Sequence, residues 1–521
     1  MSHRRRPHAA GPPPPSEGGG DALPQPPGKA PQIRPWPERR VLALALAFRA
    51  ANALLVRTYF NPDEHWQCLE VAHRIAFGYG HLTWEWKRGL RSYLHPLIFA
   101  SLYKFLAFLH LDTPLFMVMA PRLLQSVFAA FGDLYLYKLS KLIFSEHVAQ
   151  WTLFSQLVNW FMFFCITRTL SNSLETVLTV AGLYYWFIAI ESSKEISVIS
   201  KQQAASYHSP HSRKVALLIA ALACAIRPTS AITWLYVGLL DFIYIKSKCR
   251  FLFLEVIPLG AIVLAATTFL DRWMYGSRVI VPLNFLKFNL FSSGGDYYGT
   301  HVFHWYFTQG LIAWVLGVYS ILGHKEFRFV LPVLPLALMF SGYFLAAMSQ
   351  FKGKNLHGKR HFSRLQLSVL LLIITNIPMA LYMSLFHQRG TEDVMFYLSK
   401  EAHNGSVKGV LFLMPCHSTP YYSTLHSSLP MRFLDCTPSD NKGTLDESDR
   451  FLMNPLDFVG EVFGNLSSFS HIVLFESEER HVIQLLLHDS FQEVRRFFHS
   501  HFKIDRDLQS SVVVYSRRDV L

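Results

Sequence analysis

Between residues 40 and 387 the chain alternates long apolar runs with short polar connections, many of them basic. A helix needs about 20 apolar residues to cross the hydrocarbon core of a bilayer. Runs on that scale fall near 40–58, 117–137, 150–167, 173–190, 251–270, 306–323, 327–349 and 364–387. The run 215–245 is longer and is interrupted by Arg227-Pro228. Two short spans meeting at Arg227 fit it better than one helix, because proline frees backbone groups and a central arginine needs polar surroundings. The run 93–110 carries His95, Pro96 and Lys104 and reads either as a span or as an amphipathic helix lying in the interface.

The flanks differ. Residues 1–39 are rich in Pro, Gly and Arg, and are expected to be a disordered cytosolic N-terminus without a cleavable signal. From 388 to 521 the pattern shifts to short β-prone runs, 409–413, 471–475 and 511–515, alternating with helical stretches such as 479–499. The expected architecture is therefore an α-helical polytopic membrane domain, 40–387, followed by a small C-terminal α/β domain, 388–521. Basic residues set the orientation. Arg34, Arg39 and Arg40 place the N-terminus in the cytosol and residues 59–115, a large first loop, on the opposite side. Lys138 and Lys141, then Lys194 to Lys214, then Lys246, Lys248 and Arg250 follow on the cytosolic side in turn. The basic loop 350–364 also wants the cytosol, which requires 306–323 to be re-entrant or broken and leaves the C-terminal domain lumenal. Two sequons, at Asn404 and Asn465, are compatible with that side.

Composition supports a membrane protein: 51% of residues are hydrophobic and 16% charged, against about 25% charged in soluble domains. The formal charge of +13 sits largely in the N-terminus and between apolar runs, so it signals orientation and no nucleic acid partner is expected. The six cysteines follow no metal-ligand spacing, and no nucleotide-binding glycine fingerprint is present. Cys416 and Cys436 can pair if their region is extracytoplasmic.

Candidate chemistry clusters at the non-cytosolic face. Asp63 and Glu64 follow the first span, with Trp66, Gln67, Glu70 and His73 close behind. A partly dehydrated carboxylate there suits a general base for a hydroxyl, or belongs to a solvated loop. Arg122, Arg168, Arg227, Lys325 and Arg328 stand at membrane boundaries. They suit contacts to a lipid phosphate, or pair with local acids such as Asp133 and Glu175. The stretch 282–305, with His301, His304 and Trp305, suits sugar rings or an interfacial aromatic belt.

The combination of Pro62-Asp63-Glu64-His65-Trp66-Gln67, Trp84-Glu85-Trp86, Arg168-Thr169-Leu170-Ser171-Asn172-Ser173 and His324-Lys325-Glu326-Phe327-Arg328-Phe329 resembles glycosyltransferase family 22, the dolichyl-phosphate-mannose-dependent mannosyltransferases. The stretches His301–Gly310 and Met414–Tyr422 resemble the branch that adds an α1,2-linked mannose in glycosylphosphatidylinositol (GPI) anchor assembly. The resemblance implies a GT-C fold with interfacial helices in the first lumenal loop. It implies an inverting transfer in the endoplasmic reticulum lumen from dolichyl-phosphate-mannose to a mannosylated glucosaminyl-phosphatidylinositol, with no cofactor or metal. Asp63 takes the base position with Glu64 its rival, and Arg227 the lipid phosphate, with Arg168 and Arg122 as further candidates. An enzyme of the dolichol-linked N-glycan precursor is an alternative within the family. A transporter or lipid carrier is an alternative outside it, and would be expected to show two matching halves with broken helices, which the sequence lacks.

Overall fold

The computed structural model describes residues 35–199, 211–245, 247–291, 326–350, 363–438, 444–464, 466–502 and 509–518. The expectations for 1–34, 306–323 and most of the loop 350–364 lie outside them.

The described residues up to Leu385 are helical with short connections. They begin with α1 (Glu38–Leu55), then the first-loop helices α2 (Pro62–Glu64), α3 (Glu70–Phe77), α4 (Trp84–Lys87) and α5 (Leu94–Phe108). Next come α6 (Pro114–Ile143), α7 (Glu146–Val158), α8 (Trp160–Cys165), α9 (Ser171–Ile199), α10 (His211–Ile226) and α11 (Ala231–Tyr244). The series continues through α12 (Lys248–Phe251), α13 (Ile257–Tyr275), α14 (Val281–Leu286), α15 (Leu334–Gln350) and α16 (Arg364–Leu385). Among the described residues four helical segments are long and apolar enough to cross a membrane: Pro114–Ile143, Ser171–Ser192, Lys248–Tyr275 and Arg364–His403. The thirty residues of α6 make a rod about 45 Å long at 1.5 Å per residue. At fifteen residues, α5 is about 22 Å long. It exposes Phe105 and Phe108, and is shorter than the roughly 30 Å hydrocarbon core of a bilayer.

Polar residues decide where the remaining helices bend or pair. In α1, Arg49 is wholly buried and grips Asp133 of α6 through two hydrogen bonds of 2.7 and 2.9 Å, so a charge inside this apolar helix is neutralised by its neighbour. The expected span 150–167 is two short helices. Asn159 leaves helical geometry between α7 and α8, and its side chain accepts from Met162 N at 2.9 Å, starting α8 afresh. The run 215–245 divides as the proline predicts. α10 stops at Ile226, Arg227 is extended (φ −144°), and a 3₁₀ turn at Pro228–Ser230 leads into α11.

The C-terminal part is built on a five-stranded sheet in the order β2-β1-β3-β5-β4: β1 (Val410–Leu413), β2 (Met431–Phe433), β3 (His471–Phe475), β4 (Phe491–Phe498) and β5 (Ser511–Arg517). β2, β1 and β3 run parallel, while β5 and β4 are antiparallel to their neighbours. β1, β3 and the middle of β5 are buried throughout, as strands covered on both faces must be. One face is covered by α17 (Gly390–His403), and also by Trp66 from the first loop. The other packs on α19 (Glu447–Met453), α20 (Pro455–Val462) and α21 (Glu476–His488). The expected helix over 479–499 is helical only to His488, and β4 takes the rest. β4 is an edge strand carrying Gln492, Glu493, Arg495 and Arg496, which keep an exposed edge soluble and imitate a helix surface in sequence.

Candidate active site

The acidic segment after α1 is shaped by its own residues. The Asn61 side chain accepts from Asp63 N at 3.0 Å and Pro62 occupies the first helical position, a self-contained helix start. A π-helical turn, His65–Leu69, follows and runs into α3. Neighbouring side chains consequently fan out to different surroundings.

Asp63, Trp66 and Gln67 line a cavity of about 1420 Å³. Its polar wall also holds Glu85, Arg91, Arg227, Glu326 and Arg328, while Ala221, Ile232, Val263, Leu264 and Leu286 make an apolar wall among α10, α11, α13 and α14. Arg328 is ion-paired with Asp63, binds Glu326 through Nε and Nη2 (2.6 and 2.7 Å) and donates to Asn61 Oδ1 at 2.6 Å. Arg227 pairs with Glu175 at 3.2 Å and donates to Asn172 Oδ1 at 3.0 Å. Asn172 also donates to the Arg328 carbonyl at 3.3 Å, and the Phe329 ring lies 5.0 Å from the Arg227 guanidinium and 5.6 Å from that of Arg328. The two arginines are therefore fixed about one aromatic ring. Burial raises the Asp63 carboxyl above the usual carboxylate range, against the pull of the Arg328 and Arg91 guanidiniums. Glu85 is held by Arg91 at 2.8 Å and accepts from Gln67 Nε2 at 3.0 Å.

Glu64 points the other way, into a fully buried ionic brace. Its carboxylate meets Arg168 at 2.7 Å and Arg122 at 3.3 Å, and its carbonyl accepts from Thr169 at 3.0 Å. Arg122 reaches on to Glu392 of α17 at 3.0 Å and to the Val56 carbonyl at 2.9 Å, and His65 Nε2 lies 3.1 Å from the same Glu392. Arg168 donates to the Thr58 and Phe164 carbonyls. Burial opposes charge on Glu64, but the two guanidiniums outweigh it and hold the carboxyl below its ordinary range. The brace joins α1, α2, α6, α8 and α17 around the base of the segment.

Two further residues, Trp66 and Glu70, tie the segment to the sheet domain. Trp66 donates its indole N–H to the Thr419 carbonyl at 2.8 Å. Glu70 accepts from Tyr421 N (2.9 Å), Ser423 N (3.1 Å) and the Ser423 hydroxyl (2.6 Å), capping α18 (Tyr422–Leu425). The sheet domain supplies Cys416, His417 and Cys436 to the cavity wall, and the two cysteines form a disulfide.

Of the residues singled out in the sequence, Asp63, Arg227 and Arg328 come together at the cavity. Glu64, Arg122 and Arg168 do not line it. Their charges are spent on one another and on Glu392. His301, His304, Trp305, Lys325 and Asn465 lie outside the described residues, and Asn404 is exposed just after α17. The sequence pattern assigns no separate role to Asn61, Arg91 or His417. Asn61 directly precedes the Pro62–Gln67 motif and His417 lies within Met414–Tyr422, whereas nothing local marks Arg91, whose role depends on Glu85 six residues earlier.

The sequence pattern of the Alg9-like mannosyltransferase family matches residues 40–314 and 309–426. Mannosyltransferase APTG1 of Arabidopsis thaliana is 60% identical, covering 92% of each chain. GPI alpha-1,2-mannosyltransferase 3 of Mus musculus is 39% identical over 92% of this chain and 89% of its own. The enzyme named GPI mannosyltransferase 3 in Yarrowia lipolytica is 38% identical over 91% and 96%. Among solved structures, ArnT from Cupriavidus metallidurans bound to undecaprenyl phosphate superposes with a TM-score of 0.52 over 92% of this chain and 98% of that one, at 10% identity. That likeness concerns the fold, which is GT-C, with a small sheet domain at its C-terminal end. With more than half its length matched and relatives this similar end to end, the chain belongs to the Alg9-like mannosyltransferase family.

Proposed function

We propose that this protein adds the third, α1,2-linked mannose to the GPI-anchor precursor, taking it from dolichyl-phosphate-mannose at the lumenal face of the endoplasmic reticulum membrane. The observation that carries the reading is the cavity itself, where the carboxylate of Asp63, with Glu85 and Glu326 on the same polar wall, faces a site walled by Arg227 and Arg328 and bordered by apolar helices. Such a site suits a substrate with an apolar tail, an anionic phosphate and a sugar. The mouse and Yarrowia relatives carry GPI mannosyltransferase names, and ArnT holds a polyprenyl phosphate, which supports the donor class.

The chemistry is a single in-line displacement. The acceptor hydroxyl gives its proton to Asp63 as its oxygen bonds to the anomeric carbon, and the bond from that carbon to the phosphate oxygen breaks. β-Linked donor becomes α-linked product, and dolichyl phosphate leaves as an anion. The raised Asp63 carboxyl is better matched to proton transfer near neutral pH than an ordinary aspartate. Arg227 stabilises the departing phosphate, with Arg328 orienting Asp63 and adding positive charge beside it. The donor arrives already activated, so the reaction as written uses no cofactor or metal. The test is lipid analysis of cells lacking the protein. A GPI intermediate with two mannoses should accumulate and vanish on re-expression, while a truncated dolichol-linked oligosaccharide in its place would overturn the assignment.

A further inference from the structure

Beside the main cavity is a smaller chamber of about 170 Å³. Thr83, Trp84, His417 and Thr437 line both spaces, so the chamber is a side arm of the cavity. Its size falls below the roughly 300–1,000 Å³ that holds a drug-sized ligand, and suits one ring-sized group. The Thr83 side chain is 5% exposed, and its hydroxyl has no hydrogen-bond partner among the described residues. It precedes α4 in the capping position yet caps nothing. A buried hydroxyl left unsatisfied costs about 1–3 kcal/mol, so its idleness at this junction points to a ligand.

The walls indicate which kind. The His81 ring lies 5.0 Å from Phe433, and His417 lies 4.4 Å from Trp66 and 5.3 Å from Phe433, aromatic surroundings against which a sugar ring can stack. His417 holds a left-handed backbone (φ 60°) and stands next to the Cys416–Cys436 bridge, which fixes its loop to the chamber wall. Burial lowers both imidazoles to about 4, so they are neutral at physiological pH and able both to donate and to accept. Two basic groups line the chamber: Arg432 is already engaged by Glu447 at 2.8 and 3.1 Å, and the Lys87 charge acts on Asp435, which accepts from Thr437. Neutral two-way hydrogen bonding beside aromatic faces is chemistry for hydroxyls.

We propose that the side chamber is an acceptor subsite that receives one sugar ring of the acceptor glycan other than the ring being mannosylated, with Thr83, His81 and His417 reading its hydroxyls. This rests on the function proposed above and adds a specificity determinant to it. The test compares Thr83→Val, nearly isosteric, and Thr83→Ser in detergent-solubilised full-length enzyme. Each is assayed with the full lipid-linked acceptor and with a simple alkyl mannoside carrying only the reacting ring. Thr83→Val should raise KM for the full acceptor about five- to ten-fold. Its kcat, the donor KM and transfer to the alkyl mannoside should stay at wild-type values, and Thr83→Ser should restore the full-acceptor KM. Equal losses on both acceptors would overturn the proposal. So would a loss that disappears as ionic strength rises, because that is the signature of an anionic group. Failure of the functional reading itself looks different: wild-type enzyme would then transfer mannose to neither acceptor.

Discussion

Asp63 and Glu64 are adjacent in sequence and opposite in circumstance. Asp63 stands on the wall of a large cavity with one guanidinium paired to it, and its carboxyl is raised. Glu64 is sealed between two guanidiniums and lowered. A base must gain and lose a proton within the working pH range, and a brace must keep its charge. The comparison teaches that surroundings, set by a helix start and a π turn, assign the two roles to identical functional groups. Removing the charge at each position should therefore damage different properties.

Asp63→Asn should lower kcat by about a hundred- to ten-thousand-fold, the usual worth of a positioned general base. Arg328 keeps Glu326 as its partner, so the variant's thermal unfolding should stay near wild type. Near-normal mannose transfer by Asp63→Asn would remove Asp63 from the mechanism. Glu64→Gln should do the reverse. It leaves Arg168 and Arg122 buried with less counter-charge, a loss of about 3–5 kcal/mol. The measurement is the detergent-solubilised melting temperature and the yield of folded protein. A stable but inactive Glu64→Gln enzyme would make Glu64 the catalytic group after all.

A smaller effect separates Arg227 from the brace arginines. Arg227→Lys keeps a charge opposite Glu175 but loses the planar fork that can meet Asn172 and a phosphate together. The donor KM should rise about ten-fold with acceptor KM unchanged, the share of one charge-assisted hydrogen bond. Arg168→Lys should instead show up as lost stability, since Arg168 spends its donors on Glu64, Thr58 and Phe164.

Much of this was legible in the chain. Four of the expected spans, 117–137, 173–190, 251–270 and 364–387, fall in helices long and apolar enough to cross a membrane, and Arg227-Pro228 announced the break that brings an arginine to the cavity. The β-prone runs 409–413, 471–475 and 511–515 are three of the five strands. Two things were hidden. Edge strand β4 carries charged residues, so it read as helix. The division of labour among arginines was hidden for another reason: Arg122, Arg168, Arg227 and Arg328 look alike as lone cations in apolar sequence. What separates them is a partner far along the chain, Glu392 being 270 residues from Arg122. Long-range pairing leaves no local pattern, and so neither did the difference between Asp63 and Glu64.

The finest distinction is the pH profile of Arg328→Gln. Burial raises the Asp63 carboxyl, as do the charges of Glu326 and Glu85, while Arg91 and, most strongly, the Arg328 guanidinium pull it down. Removing that charge takes away the largest downward pull, so the carboxyl should stay protonated to higher pH. A protonated Asp63 cannot accept the acceptor's proton, and activity on the acid side should fail earlier. The expected result is an acid limb of kcat/KM displaced upward relative to wild type, with the alkaline side unmoved. Loss of positive charge near the departing phosphate would also lower the plateau, but a lower plateau does not move the midpoint. The midpoint therefore reports on the base alone. If it stays in place while the plateau falls, Arg328 serves the phosphate only and the proton acceptor is a group other than Asp63.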